Sequence, residues 1–169
     1  MRHKPISDAR FFFATAPLPC PYLPDRVERR VVTELFGRDA TRLHDQLSYA
    51  GFRRSHGIVY APACPGCDAC KAVRIAVDGF DNSDLSARMA QPAADQEQYR
   101  LFQRYQASRH SGGDMAKMDY LDYQALIEDT PIDTSLITFR DGQGTLTGAM
   151  LADRLGDGLS AVYSYFDPE

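Results

Sequence analysis

The spacing of apolar residues in the first half of the chain predicts strands around one helix. Val27 to Phe36 is rich in β-branched residues, which is typical of a strand. Apolar residues recur at i, i+4 and i+7 from Leu43 to Ala50, between a possible N-cap at Asp39 and a terminating Gly51, and predict a helix. Two more strands are predicted on either side of a cysteine-containing loop: Phe52 to Tyr60 and Ala72 to Val77.

The second half of the chain predicts two helices followed by an antiparallel meander. Aromatic residues recur at helical spacing from Asp95 to His110 and from Tyr120 to Glu128. Glycine-containing turn sequences join three predicted strands, which are Thr134 to Arg140, Thr145 to Leu155 and Leu159 to Phe166. Residues 79–94 are polar and have no clear period, so we expect a domain at 1–78 and a second at 79–169.

The two ends of the chain carry no predicted helix. Residues 1–24 are proline-rich and are expected to be irregular and packed on another part of the protein. The last predicted strand ends at Asp167-Pro-Glu with an uncovered edge. We therefore expect the C-terminal part of the natural protein to be absent from this sequence.

Composition and charge narrow the class of protein. The 44% of apolar residues can bury a core, and no run of about 18 apolar residues predicts a membrane span, so we expect a cytosolic protein. Residues 1–78 hold 12 Lys+Arg and 8 Asp+Glu, whereas residues 79–169 hold 7 and 15. The basic half could meet a phosphate or a carboxylate, and the acidic half argues against broad coating by nucleic acid. Ordinary solvated surface is the alternative.

The cysteines form one chemical pattern. Cys64, Cys67 and Cys70 follow two successive C-x-x-C spacings, as in loops that hold zinc or an iron–sulfur cluster. Cys20 is the remaining cysteine and the candidate for a fourth ligand, which would pin the proline-rich arm. The alternatives are incidental small buried residues and a redox disulfide between Cys67 and Cys70.

A second cluster lies where the predicted helix at 39–51 meets the next strand. Two adjacent arginines, a hydroxyl and a histidine there can recognise a carboxylate or a phosphate. Successive strand residues face opposite ways, so Arg53 and Arg54 should not both enter one site. The candidates for substrate binding are Tyr49, Arg54, Ser55, His56 and Arg74. A solvated arginine pair is the alternative.

Two weaker motifs lie in the second half. The glycines after Arg109-His110 suit a helix C-cap, and no P-loop occurs anywhere in the chain. Asp167 follows the final strand, where functional carboxylates often lie, although Asp-Pro also starts turns. No Ser-His-Asp or H-E-x-x-H pattern points to a hydrolase.

Taken in order along the chain, six segments together resemble the arginyltransferase family of aminoacyl-tRNA–protein transferases, most closely its bacterial leucyltransferase branch. The resemblance covers nearly the whole chain. The segments begin at Cys20 (Cys-Pro-Tyr-Leu-Pro), Arg38 (Arg-Asp-Ala-Thr-Arg-Leu-His), Gly51 (Gly-Phe-Arg-Arg-Ser-His-Gly), Cys64 (Cys-Pro-Gly-Cys-Asp-Ala-Cys-Lys), Arg109 (Arg-His-Ser-Gly-Gly-Asp-Met) and Tyr163 (Tyr-Ser-Tyr-Phe-Asp-Pro-Glu).

The resemblance implies a fold and an activity. The fold would be α/β (α+β), with an N-terminal cysteine-containing domain and an incomplete acetyltransferase-like (GNAT) domain whose sheet is mixed and largely antiparallel. The activity would move leucine from leucyl-tRNA to the α-amine of proteins that begin with Asp or Glu, which marks them for the N-degron pathway. The alternatives are an acyl-CoA-dependent acetyltransferase and a non-enzymatic redox or metal-binding module.

The same resemblance implies roles for the candidate residues. An aminoacyl-tRNA ester is already activated, so the enzyme needs alignment and oxyanion stabilisation rather than its own nucleophile. We expect Arg54, helped by Arg74 or His56, to bind the acidic side chain, and Asp167 to accept a proton or a hydrogen bond from the α-amine. No cofactor is expected for the transfer itself. The family's eukaryotic members imply an iron–sulfur cluster or other metal, here zinc or a cluster at the four cysteines.

Overall fold

The computed structural model describes residues 10–79 and 85–169 of the chain. The chain divides into two compact units between Val73 and Arg74, a few residues before the boundary predicted at residue 78. The predictions for residues 1–9 of the proline-rich arm and for 80–84 of the polar stretch lie outside the described residues. Three α-helices and several antiparallel strands make up the described parts, so the predicted mixed α/β class is confirmed.

The first unit is built on a four-stranded antiparallel sheet. In chain order its elements are β1 (Phe13–Ala14), β2 (Leu18–Pro19), β3 (Val27–Glu28), β4 (Arg30–Glu34), α1 (Ala40–Tyr49), β5 (Arg53–Ser55) and β6 (Ile58–Pro62). The sheet order is β1-β4-β6-β5, and β2 pairs separately with β3. The helix α1 packs against β5. The arm is therefore less irregular than predicted, because two of its segments pair as strands.

Of three strand predictions in the first half, two were right about strand structure but wrong about its continuity, and one was wrong. The segment Val27–Phe36 is interrupted at Arg29, and its two parts pair with different partners. The segment Phe52–Tyr60 is a hairpin, because His56 adopts a left-handed φ of 49° and turns the chain. The segment Ala72–Val77 forms no strand and leads into a 3-10 turn at Val77–Gly79. Its apolar side chains remain exposed, and β-branched residues alone do not form a strand without a neighbour.

Pairing in the first sheet divides its residues into two faces. Thr33, Val59 and Arg54 lie opposite one another across β4, β6 and β5, and all three are buried. The neighbouring row is Val32, Tyr60 and Arg53. Because side chains alternate between faces along a strand, Arg53 and Arg54 point to opposite sides of the sheet. This register decides which of the two adjacent arginines borders the cavity described below.

The second unit contains two helices and a four-stranded antiparallel sheet. In chain order its elements are β7 (Ser86–Ala90), α2 (Gln96–Arg109), a 3-10 helix (Asp114–Lys117), α3 (Tyr120–Glu128), β8 (Thr134–Arg140), β9 (Leu146–Arg154) and β10 (Leu159–Phe166). The sheet order is β10-β9-β8-β7, with every pair antiparallel. Both helices and the three-strand meander predicted from the sequence are confirmed. The strand β7 was not predicted, because it lies in the polar stretch 79–94, which has no clear period, and all five of its residues are exposed.

The core of the second unit lies between these helices and the sheet. Its buried members include Leu101 and Phe102 of α2, Tyr123 and Ile127 of α3, and Tyr165 of β10. Both helices begin at a capping box, in which an aspartate side chain accepts backbone N–H groups of the first turn. No helix in residues 10–79 and 85–169 is long and apolar enough to cross a membrane.

Candidate functional site

A small basic cavity opens on the exposed side of the first sheet, in the first unit. Its wall includes Arg29 and Arg30 at the start of β4, Arg53 of β5, and the rings of Tyr22 and Tyr60. The cavity holds about 40 Å³, enough for a carboxylate or a few water molecules. Its cations and its size are suited to a small anionic group.

The three arginines of this cavity differ in their interaction partners within the protein. Arg30 Nη2 lies 2.8 Å from Glu28 Oε1, its guanidinium stacks over Tyr60, and the hydrogen bond with Glu28 raises the pKa of Arg30. Arg29 Nε donates to the carbonyl oxygen of Thr15 at 3.4 Å. Arg53 is exposed and has no hydrogen-bond or ion-pair partner within the described ranges. Of the three cavity arginines, Arg53 is therefore the one whose side chain has no partner in the described parts of the chain.

Arg54, the arginine chosen from the sequence, faces the other side of the sheet. Its side chain is only 5% exposed, and Nη1 donates to the carbonyl oxygen of His56 at 2.9 Å. Ser55 and His56 are exposed in the hairpin turn that this bond supports. Arg54 thus lies within the fold and is not part of the cavity wall. The sequence missed Arg53 because alternation separates the two arginines without showing which one faces the core.

The other two predicted substrate-binding residues lie elsewhere. Tyr49 ends α1 and is 53% exposed. Arg74 belongs to the second unit, where its Nη1 lies 3.4 Å from Asp157 Oδ2. A substrate-binding role for these residues, and for Arg54, Ser55 and His56, stays a prediction.

Three of the four cysteines share the wall of the basic cavity. These are Cys20, Cys64 and Cys70, whereas Cys67 is not part of the wall. All four are free thiols, and Cys64 Sγ lies 3.6 Å from the carbonyl oxygen of Arg29. Among residues 10–79 and 85–169, no three His, Cys, Asp or Glu side chains are grouped as metal ligands. Zinc or an iron–sulfur cluster at the four cysteines stays a prediction.

Asp167 lies directly after β10 in the second unit. Its backbone N–H donates to the carbonyl oxygen of Thr147 at 2.8 Å, which continues the pairing with β9. Its carboxylate accepts a hydrogen bond from Arg104 Nη2 of α2 at 3.1 Å and is about one third exposed. The side chain is thus oriented by an arginine and remains accessible. Its predicted role as an acceptor for the substrate amine stays a prediction.

The motif Arg109-His110 and its glycines forms the end of α2. His110 is the C-cap residue, and Gly113 N–H donates to the carbonyl oxygen of His110 at 2.8 Å. A Cβ on Gly113 would lie 3.3 Å from that same oxygen, so a larger residue there would need a small shift of the turn. The turn leads into the 3-10 helix at Asp114–Lys117 and has a structural role.

Comparison with known families covers most of the chain. The family description "Arginine-tRNA-protein transferase, N terminus" matches residues 18–85, and "Arginine-tRNA-protein transferase, C terminus" matches residues 97–169. The two matches fall on the two halves of the fold. They define the class of this protein as an aminoacyltransferase.

Curated relatives agree with these matches. Proteins named aspartate/glutamate leucyltransferase are 56% identical in Paramagnetospirillum magneticum, 53% in Granulibacter bethesdensis and 52% in Gluconacetobacter diazotrophicus. These alignments cover 100%, 98% and 94% of this chain and 74%, 66% and 65% of the relatives. The chain belongs to the arginine-tRNA–protein transferase family. The family and the enzyme class expected from the sequence are confirmed, whereas the acetyltransferase-like character of the second unit stays a prediction.

Proposed function

We propose that this protein transfers leucine from leucyl-tRNA to the α-amine of proteins that begin with Asp or Glu, in the cytoplasm and as a mark for N-degron degradation. The relatives' shared name, aspartate/glutamate leucyltransferase, supports leucine as the transferred residue and acidic residues as the acceptors. The proposal concerns a chain that spans about two thirds to three quarters of the length of those relatives.

The preference for acidic acceptors rests on Arg53 in the basic cavity, whose guanidinium has no partner among the described residues. A carboxylate that enters the cavity can accept hydrogen bonds from Arg53 without displacing an existing partner. Arg30 beside it adds positive charge, although Glu28 already occupies part of its donor set. A hydrogen bond between a guanidinium and a carboxylate contributes about 1.5–3 kcal/mol. That is enough to favour Asp or Glu over a neutral side chain by tenfold or more.

The transfer itself needs alignment more than it needs a protein nucleophile. The neutral α-amine of the acceptor attacks the ester carbonyl of leucyl-tRNA, and a C–N bond forms as the C–O bond to the terminal ribose breaks. The proton lost by the amine replaces the acyl group on the ribose oxygen, so the reaction needs no outside oxidant or reductant. Asp167 is proposed to hold the amine by a hydrogen bond or to accept its proton. Such positioning and proton transfer can supply a large part of the rate enhancement.

A transfer assay tests this function. The protein is incubated with radiolabelled leucyl-tRNA or arginyl-tRNA and with peptides that begin with Asp, Glu, Lys or Ala. We expect label on the Asp and Glu peptides with leucyl-tRNA as donor, and little with arginyl-tRNA. Transfer of neither amino acid to any peptide would contradict the proposal, and tight binding of coenzyme A would then favour an acyl-CoA-dependent transferase.

A further inference from the structure

A pocket of about 340 Å³ lies beside α2 in the second unit. Its lining is partly apolar, from Phe102, Ala107, Met115, Ala116 and Met118, and partly polar, from Gln103, Gln106 and Ser111. The volume is at the low end of the range of small-ligand sites, about 300–1,000 Å³. Methionine side chains adapt to branched aliphatic groups, so the lining suits a small, flexible hydrocarbon group.

Gln106 is a buried residue that also lines this pocket. Gln106 is 2% exposed, and its Nε2 donates to the hydroxyl of Tyr163 on β10. Its Oε1 is buried and has no hydrogen-bond partner in the described parts of the chain. A buried carbonyl oxygen without a donor is unfavourable, so a ligand with an N–H group would satisfy it. The pocket therefore combines several apolar side chains with uncharged polar ones, and Gln106 among these has an acceptor without a partner in the described residues.

Among the described residues, none that lines the pocket carries a charge. The nearby Asp114 side chain is fully exposed and pairs with Lys117 at 3.1 Å, so it does not contribute a carboxylate to the wall. A guanidinium placed in this pocket would lose its hydration and gain no counter-ion, which is costly. An isobutyl group would gain from burial against the phenylalanine and methionine side chains. The lining thus discriminates between an aliphatic and a cationic side chain.

We propose that this pocket binds the side chain of the leucyl group on leucyl-tRNA, and that Gln106 Oε1 accepts a hydrogen bond from the leucyl α-amine. The inference rests on the proposed function and assigns the selection of leucine over arginine to the second unit. The isobutyl group packs against Phe102, Met115 and Met118. The amine satisfies the unpartnered acceptor. The binding step makes and breaks no covalent bond.

Methionine methyl groups give a direct test that does not depend on transfer. The protein is labelled with ¹³C at its methionine methyls and titrated with a hydrolysis-resistant amide analogue of 3′-leucyl-adenosine. We expect the resonances of Met115 and Met118 to shift, while Met89 of β7 and Met150 of β9, which lie outside the pocket, stay unchanged. The alanyl and arginyl analogues should bind at least about tenfold more weakly, because they lose apolar burial or bury a charge.

Two substitutions on the wall and one matched control complete the test. Ala107→Phe and Ala116→Phe place a ring at the pocket from positions that are themselves exposed, so the core is left intact. Each should weaken binding of the leucyl analogue by about tenfold or more. Ser108→Phe adds the same ring at the next position of α2, outside the pocket wall, and should leave binding unchanged.

The outcomes separate this inference from the proposed function. Absence of shifts at Met115 and Met118 at saturating analogue, or equal effects of the Ala107 and Ser108 variants, would overturn the pocket assignment even if leucine is transferred. Leucyl-specific shifts at both methionines in a protein that transfers no leucine would support the pocket and contradict the proposed function. Equal affinity for the leucyl and arginyl analogues would also overturn the assignment.

Discussion

At the scale of single residues, the adjacent arginines of β5 have separate environments. The sequence predicted correctly that they face opposite ways, and it placed a basic cluster at this junction. It did not show which arginine faces the core, because that depends on the pairing of β5 with β6. Arg54 lies opposite Val59, which is 1% exposed, whereas Arg53 lies opposite Tyr60 at the cavity. Long-range register of this kind is not encoded in local alternation.

Because Arg54 is buried and Arg53 is exposed, substitutions of the two arginines should have different effects on stability. Arg54→Gln should lower the free energy of unfolding by about 1–3 kcal/mol, because a buried charge-assisted hydrogen bond to the His56 carbonyl is lost. Arg53→Gln should change it by less than about 0.5 kcal/mol, because the side chain is exposed and unpaired among described residues. Urea unfolding measures both. Equal losses in the two variants would show that the assignment of faces is wrong.

Buried tyrosine hydroxyls predict a loss of stability at alkaline pH. Burial raises the pKa of Tyr123 and Tyr165, which are in mutual hydrogen-bond contact, and raises the pKa of Tyr163 to about 12. These tyrosines have a higher pKa in the folded state than in the unfolded chain, where it is about 10. Their contribution to the free energy of unfolding is therefore complete below pH 10 and falls as the pH rises above it.

We expect the free energy of unfolding to fall by up to about 1.4 kcal/mol per pH unit for each fully buried tyrosine above pH 10. Urea titrations between pH 8 and pH 11 measure the slope. The variant Tyr165→Phe removes one of these groups and should make the slope shallower, while Tyr123 keeps its contact with Gln98. A stability independent of pH across this range, or an unchanged slope in the variant, would rule out this explanation.

At the scale of elements, the sequence predicted the second half better than the first. The helices α2 and α3 have both an apolar period and an N-terminal aspartate, and the meander has glycine turns between long strands, so local signals agree there. In the first half the strands are two to five residues long, and their bounds depend on distant partners. Asp39 was predicted to cap α1, and it is the N-cap residue but makes no side-chain cap bond.

The two ends of α3 provide a matched pair of substitutions. Asp119 Oδ1 accepts the N–H groups of Leu121 and Asp122 at 2.8 and 2.9 Å, so Asp119→Ala should cost about 1 kcal/mol of stability. Asp129 lies at the C-terminal end, where the helix dipole disfavours a negative charge, so Asp129→Ala should be neutral or slightly stabilising. Thermal or urea unfolding compares them. A larger loss at Asp129 than at Asp119 would contradict this account of the helix.

At the scale of the whole molecule, the two units carry different parts of the proposed recognition. The first unit holds the basic cavity with Arg53, and the second holds Asp167 and the pocket beside α2. The sequence indicated the family through motifs spread along the chain, but it showed neither cavity. The basic cavity is lined by segments that are distant in sequence, and the second pocket is lined by one face of α2 and the residues that follow it. The roles proposed for Arg53, Gln106 and the two pocket methionines therefore rest on the structure and were not predicted from the sequence.

In the proposed function, Arg53 selects acceptor proteins with an acidic N-terminal residue during leucyl transfer. The most direct measurement is the ratio of kcat/KM for two peptides that begin with Asp or Asn, with leucyl-tRNA as donor, because the two side chains are nearly equal in shape and differ in charge. We predict a strong Asp preference in the unchanged protein and a ratio reduced by about tenfold to a hundredfold in Arg53→Gln, equivalent to the loss of about 1.5–3 kcal/mol. The control Arg42→Gln, at an exposed position of α1, should keep the original ratio. An Arg53→Gln protein that folds normally and discriminates Asp from Asn as well as the unchanged protein would contradict the claim.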